Sequence, residues 1–265
     1  HFNSGTSIPA SRVYAEAGIP QIAMATSPQY TAQGFKTTFR AMTSDTQQGG
    51  VMGSFAVGKL QAKAIAIIDD RTAYGQGLAD EFEKAVKAAG GNVVKREFTN
   101  DKAVDFRAIL TSIKKANADL IFFGGADAQG GTMVAQMREL GVKAQFVGGE
   151  MLKSPKFIEL AGPSAEGTIA SLAGLPLDKM PGGPGYATKY KAKFNAEVEI
   201  YSPYSYDATR VMVAAMQRAD STEPAKYLPV LAKTSGYKGV TGMISFDAKG
   251  DIKNGALTLH SYVGG

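Results

Sequence analysis

Short, continuous apolar runs alternating with one-faced helical stretches fill the middle of the chain, and few folds accept that pattern. Residues 63–69 read KAIAIID, with no polar residue inside the run. Such a run predicts a strand buried on both faces. A helix is predicted over about 75–89, where Leu78, Phe82, Ala85, Val86 and Ala89 share one face and Gly90-Gly91 ends it. A strand follows at 92–98, then a helix over 105–115 with Phe106, Ile109, Leu110 and Ile113 inward. The run 119–123 (DLIFF) is a strand, 129–140 a helix closed by Gly141, and 144–147 a strand. Strand, helix and strand recur at about 27 residues, which predicts right-handed crossovers and an α/β fold built on a parallel sheet.

Beyond Gly167 the rhythm changes. A strand is expected at 168–172 and a Pro/Gly-rich connection at 175–185. Helices are expected at 186–197, 205–219 and 225–233. The chain then reads as a strand at 242–246, a turn at 247–251 and an alternating strand at 256–263. The 265 residues are enough for two modest domains.

Composition removes several function classes. With no cysteine, disulfides, thiolate nucleophiles and cysteine-ligated metals are excluded. The two histidines, His1 and His260, stand near opposite ends, so neither a histidine metal site nor a metal cofactor is expected. The net charge of +5 comes from singly scattered lysines and arginines, and no nucleic-acid partner is expected. No run reaches the roughly 18 apolar residues of a membrane span. Phosphate-loop, dinucleotide-loop, nucleophile-elbow and zinc-protease motifs are missing, and the acids have no neighbouring nucleophile, so no catalytic residue is expected.

Ligands of open parallel sheets bind off the carboxyl ends of the strands. The segments that follow three of the strands carry Tyr74, Asp127 and Glu150. Each is also an ordinary loop residue; three on successive βα-loops are more than loop chemistry needs. Ser4-Gly-Thr-Ser7, ahead of 8–11, reads as a helix start with free N–H groups and hydroxyls suited to a carboxylate or phosphate, or as a bare cap. Ala25-Thr26-Ser27-Pro28 is a second polar turn. An anion holder and acids on separate loops suit a zwitterion.

These residues, taken in order, resemble the periplasmic leucine/isoleucine/valine-binding proteins of ABC transporters. The resemblance rests on 1–11, 14–22, Ala25-Thr-Ser-Pro28, 70–77 (DRTAYGQG), Phe123-Gly-Gly-Ala-Asp127, Gly148-Gly-Glu150, Ala165-Glu-Gly167 and Tyr204-Ser-Tyr-Asp-Ala208. It implies two doubly wound α/β lobes on a hinge with three chain crossings, the type I periplasmic binding fold. The N-terminal lobe would hold 1–44 and 173–248, and the other lobe 45–172 and 249–265. The family's first βα units would precede His1, so the N-terminal lobe is expected to be incomplete and a signal peptide to have been removed.

By this resemblance Ser4 and Thr26 would hold a ligand carboxylate, and a nearby carbonyl, Ala25 or Met24, would accept from the ammonium. Tyr74 and Glu150 would come from the other lobe, Glu150 pairing with the ammonium, and Tyr201 would line the side-chain pocket. Hinge closure would bring Tyr74, Asp127 and Glu150 over the ammonium. Ala126 stands where some members carry tyrosine, and Asn3 where some carry cysteine. The implied function is capture of a small amino acid, branched-chain or otherwise aliphatic, by a monomer in the periplasm or held extracellularly at a membrane. Its partner would be an inner-membrane permease. A ligand-sensing domain, a binder of an amide, urea or aromatic acid, and an α/β enzyme are the open alternatives.

Overall fold

The structure is a computed structural model and describes residues 1–263. In chain order the elements are α1 (Ser4–Glu16), β1 (Gln21–Ala23), α2 (Gln29–Ala32), β2 (Thr38–Arg40), α3 (Asp45–Gly58), β3 (Ile65–Asp69), α4 (Ala73–Ala88) and β4 (Val93–Phe98). Next come α5 (Arg107–Lys115), β5 (Leu120–Gly124), α6 (Asp127–Glu139), β6 (Gln145–Gly148), α7 (Pro155–Ala161) and β7 (Ile169–Leu172). The chain closes with α8 (Gly183–Phe194), α9 (Ser202–Arg218), α10 (Pro224–Ala232), β8 (Tyr237–Lys238), β9 (Met243–Ile244) and β10 (Thr258–Ser261).

The chain forms two compact units. One holds 1–44 and 173–256, the other 45–172 and 257–265. The third crossing therefore falls eight residues later than the boundary read from the sequence. The turn before it is tied into the first unit: Phe246 bridges Ile252, Arg40 N–H donates to the Gly250 carbonyl, and the Arg40 side chain pairs with Asp251.

In the second unit the apolar runs do what their continuity predicts. Ile65 and Ile67 of β3 pack with Leu120 and Phe122 of β5 on one face of the sheet. Ala66 and Ile68 pack with Ile121 and Phe123 on the other. The first face is covered by Met52 and Ala56 of α3 and by Leu78, Phe82 and Val86 of α4. The second is covered by Leu110 and Ile113 of α5, Met133 and Met137 of α6, and Phe157 of α7. The sheet order is β10-β7-β6-β5-β3-β4, and β3 through β7 pair in parallel. The closing strand departs from the all-parallel expectation: β10 lies antiparallel on β7, with Thr258 opposite Leu172. It is also shorter than the predicted 256–263. The order in which the chain lays down its strands reverses between β3 and β5, a point where ligands gather in such folds.

The first unit is built on the parallel pair β1–β2. Ile22 and Phe39 join Met42, Tyr204, Val211, Ala215 and Leu231 in its core, against α9 and α10. Arg40, at the end of β2, is fully buried. Among the described residues no helix is long and apolar enough to cross a membrane.

Candidate functional site

Glu150 follows β6 at the carboxyl end of the sheet and opens a single 3-10 turn over Glu150–Leu152. Its side chain is 2% exposed. One oxygen, Oε2, accepts two hydrogen bonds of 2.9 Å, from the Tyr74 hydroxyl and from Gln48 Nε2. Tyr74 reaches it from the first turn of α4, which is capped by the Thr72 hydroxyl accepting from Gly75 N–H. The approach leaves no room beside it: a Cβ at position 149 would stand 2.2 Å from the Tyr74 hydroxyl. Glycine is required there because the phenol occupies the space.

Burial pushes the Glu150 carboxyl above its ordinary value, and the donors from Gln48, its own backbone and Tyr74 act against that shift. Among the described residues no cationic side chain is within ion-pair distance of Glu150. An ionised carboxylate so placed is costly unless a cation joins it. Asp70, just after β3, is also raised by burial, opposed by the hydroxyl and N–H of Thr72.

Gln48 was not among the residues read from the sequence. Its Nε2 also donates to Asp45 Oδ1 at 3.1 Å, and its Oε1 accepts from the Ser171 hydroxyl at 2.6 Å. Three partners thus fix the amide's orientation. The helix that carries it, α3, was missed because its glycines at 49, 50, 53 and 58 lower helix propensity. Packing overrides propensity: a Cβ at 49 would lie 2.6 Å from the Phe82 nitrogen, and one at 53 would lie 2.8 Å from the Phe82 carbonyl. The readable signal was Asp45-Thr-Gln-Gln48, the spacing of a helix-start acid and an amide three residues on.

Asp127 lies in the same unit but is otherwise engaged. Its Oδ2 accepts from the Ser154 hydroxyl at 2.6 Å and its Oδ1 from Ala128 N–H at 2.8 Å. Ser154 in turn caps α7. The geometry ties Asp127 to two helix starts, and its bonds do not bring it to Tyr74 or Glu150.

The remaining sequence-derived residues stand in the first unit. The helix α1 starts at Ser4, earlier than the stretch 8–11 suggested, with Asn3 as cap and its carbonyl accepting from Thr6 and Ser7 N–H. Ser4 is buried, and its hydroxyl accepts from Ser27 N–H at 3.2 Å. That bond joins the helix start to the turn carrying Ala25 and Thr26, both buried. Arg40 supports the turn from beneath. Its Nη1 donates to the carbonyls of Ala25 and Ser27, its Nη2 to the Thr31 hydroxyl at 2.9 Å, and its Nε to Asp251 at 2.7 Å. The Ala25 carbonyl therefore already accepts a charged donor, a partner the sequence did not reveal. Tyr201 precedes α9 and meets the ring of Phe2 edge-on at 4.5 Å between centroids, just ahead of Ser4.

The second unit thus presents a buried acid with hydrogen-bonded support, and the first a buried turn bearing Thr26 and Ser27 next to a helix start. The same pairing of folds occurs in known proteins. The family model described as periplasmic binding protein matches residues 1–263. The Leu/Ile/Val-binding protein homolog 1 of Brucella suis biovar 1 (strain 1330) is 37% identical over 264 residues, 99% of this chain and 70% of that protein. The crystal structure of a leucine-binding protein, LivK, from Thermotoga maritima MSB8 superposes with a TM-score of 0.93 at 27% identity, covering 99% of this chain and 75% of that one. LivJ, a branched-chain amino acid transporter substrate-binding protein from Streptococcus pneumoniae str. Canada MDR_19A, was solved in complex with isoleucine. It gives a TM-score of 0.88 at 25% identity, over 98% and 74% of the two chains. With a family match across the described chain and the type I α/β architecture in place, the chain belongs to the periplasmic binding protein family, whose members are solute-binding proteins.

Proposed function

We propose that this chain is the solute-binding component of an ABC importer and captures an α-amino acid with an aliphatic side chain. The observation that carries the reading is Glu150: a buried carboxylate with two donors on one oxygen and no cationic partner among the described residues. A ligand ammonium supplies the missing charge, and Tyr74 and Gln48 hold the carboxylate to receive it. Ser4, Thr26 and the N–H groups at the start of α1 receive the ligand carboxylate, as helix starts do for anions. Tyr201 lines the side-chain end. Asp127 contributes indirectly, by holding the start of α7.

Each unit carries half of the chemistry a zwitterion needs, an acid in one and hydroxyls beside a helix start in the other. An inner-membrane permease reads the ligand-bound form, outside the cytoplasmic membrane. Binding without turnover is the whole of the proposed activity. The named relatives support an aliphatic ligand, since their printed names specify leucine, isoleucine and valine.

The test is a thermal-shift series with L-amino acids and their matching 2-keto acids. Keto acids keep the carboxylate and side chain but lose the ammonium. Stabilisation by leucine, isoleucine or valine and not by their keto acids is expected. Equal stabilisation by both members of a pair overturns the role of Glu150, and consumption of the amino acid overturns the binding-only reading.

A further inference from the structure

Within α8 only Gly183, in its first turn, is buried. A surface helix normally turns its apolar residues to the core and its polar ones to solvent. In α8 the aromatic residues Tyr186, Tyr190 and Phe194, spaced by four, form a row along the helix, and none of them is buried. Their rings meet in turn. Tyr186 and Tyr190 have centroids 5.8 Å apart, and Tyr190 and Phe194 4.8 Å. Tyr206 of α9 extends the row, 5.3 Å from Tyr186. The Tyr186 and Ser202 hydroxyls are bonded at 2.6 Å, which ties the row to the start of α9. Phe194 is 56% and Tyr206 45% exposed, so the row opens to solvent at both ends.

Cations flank these rings. Lys189 and Lys193 stand one position ahead of Tyr190 and Phe194, and Lys193 Nζ lies 5.5 Å from the Phe194 ring centroid. Arg210 stands one turn beyond Tyr206 on α9. All three are exposed, and none makes an ion pair among the described residues. No acid on either helix offsets them from the surface. The sequence of α8 contains none, and Asp207 of α9 is buried and accepts from the N–H groups of Val240 and Thr241. In the connection between the helices Glu197 pairs with Lys191, which leaves Glu199 against three unpaired cations.

Exposed rings set among unpaired cations match a partner that is anionic at its surface and apolar just beneath. A bilayer with anionic headgroups has that order. Aromatic rings settle at the interface, and lysine stems lie along apolar surface while their ammonium groups stay with the phosphates. An acidic protein surface would satisfy the cations but has no continuous apolar layer under its charges to take Phe194.

We propose that the α8–α9 face docks this protein on a bilayer surface rich in anionic lipid, with Phe194 in the headgroup region and Lys189, Lys193 and Arg210 on the phosphates. The docking is reversible, because one exposed ring and a few cations fall well short of a stable anchor.

The chain has no tryptophan, so Phe194→Trp places a single indole in the row, at an exposed position. The full chain carrying it is titrated with vesicles of phosphatidylglycerol and phosphatidylcholine in equal parts, and with phosphatidylcholine vesicles. A blue shift of the emission is expected with the mixed vesicles only. Co-sedimentation of the wild-type chain with them is expected to be at least fivefold greater than with phosphatidylcholine. Salt at about 1 M, where charges are screened beyond about 3 Å, should release most of it. Lys189→Gln combined with Lys193→Gln should reduce co-sedimentation at least threefold, and so should Phe194→Ser. Lys84→Gln combined with Lys143→Gln removes as much charge from exposed positions of the second unit and should leave it unchanged. No binding to the mixed vesicles, or equal losses from the two lysine pairs, overturns the proposal. Co-sedimentation without a blue shift overturns it as well, since another face then docks. A blue shift that grows with protein concentration in the absence of vesicles names a second copy as the occupant and overturns it too. None of these readouts needs an amino acid, so failure of the proposed amino-acid function would leave the result interpretable.

Discussion

The Tyr74 hydroxyl donates to Glu150 Oε2 at 2.9 Å, across 76 residues of sequence. The same oxygen accepts from Gln48, so both neutral donors converge on one side of the carboxylate. The arrangement orients a buried acid without neutralising it, which is what a site for an ammonium requires.

Replacing Glu150 by glutamine keeps the shape of this cluster and removes the charge. Amino-acid affinity is expected to fall by about 2–5 kcal/mol, the range for truncating one partner of a buried charge pair. Isothermal titration with leucine and with its keto acid measures the change. A loss below tenfold for leucine would remove Glu150 from the ammonium site.

Gln48→Met and Tyr74→Phe each delete one donor to the carboxylate at nearly constant volume. Each is expected to weaken leucine binding by about 1.5–3 kcal/mol, as for hydrogen bonds to charged groups. Both also raise the pH at which binding is half lost, because an undonated carboxylate holds its proton longer. A structural role alone would lower stability without moving that pH midpoint.

The raised carboxyl of Glu150 has a signed consequence. In the ligand-free chain the folded state keeps this proton at pH values where the unfolded chain has lost it. The resulting stability is fully present below the ordinary carboxylate value and is lost as pH rises through the raised native one. Unfolding midpoints of the free protein should therefore fall with pH across that window, and Glu150→Gln should remove this component of the slope. An ammonium ligand favours the ionised form, so leucine binding strengthens with rising pH over the same window and releases a proton. Titrations in buffers of different ionisation enthalpy count that proton.

Arg40→Met leaves Asp251 unpaired and withdraws donors from the Ala25 and Ser27 carbonyls and the Thr31 hydroxyl. Asp251 is partly exposed and keeps the Thr31 hydroxyl, so the cost lies at the lower end of the about 3–5 kcal/mol for breaking a fully buried pair. Urea unfolding should report a loss in that range. Thr31→Val, which removes a hydroxyl bonded to both Arg40 and Asp251 but leaves their ion pair, should cost less, about 1–3 kcal/mol.

Legibility in the sequence followed the physics of each segment. The runs 63–69 and 119–123 announced their strands because burial on both faces demands continuous apolarity. The βα-loops that carry Tyr74 and Glu150 followed from the strand ends. By contrast, α3 went unread because close approach to α4 selects glycines, which obscure a helix in sequence. With α3 went Gln48. Asp127 reads in the sequence as a βα-loop acid that would face the ammonium, whereas it opens α6, and its engagement by Ser154 depends on where α7 begins relative to α6.

From sequence alone, then, come the α/β class, the family and the residues that start each loop, since these depend on hydrophobic period and local motif. The tertiary structure decided which polar groups meet: Gln48 and Tyr74 on Glu150, and Arg40 on the Ala25–Ser27 turn and on Asp251. Those pairings join residues up to 211 positions apart. Hydrogen bonds are short-ranged and directional, so no local pattern encodes them until packing has placed both partners.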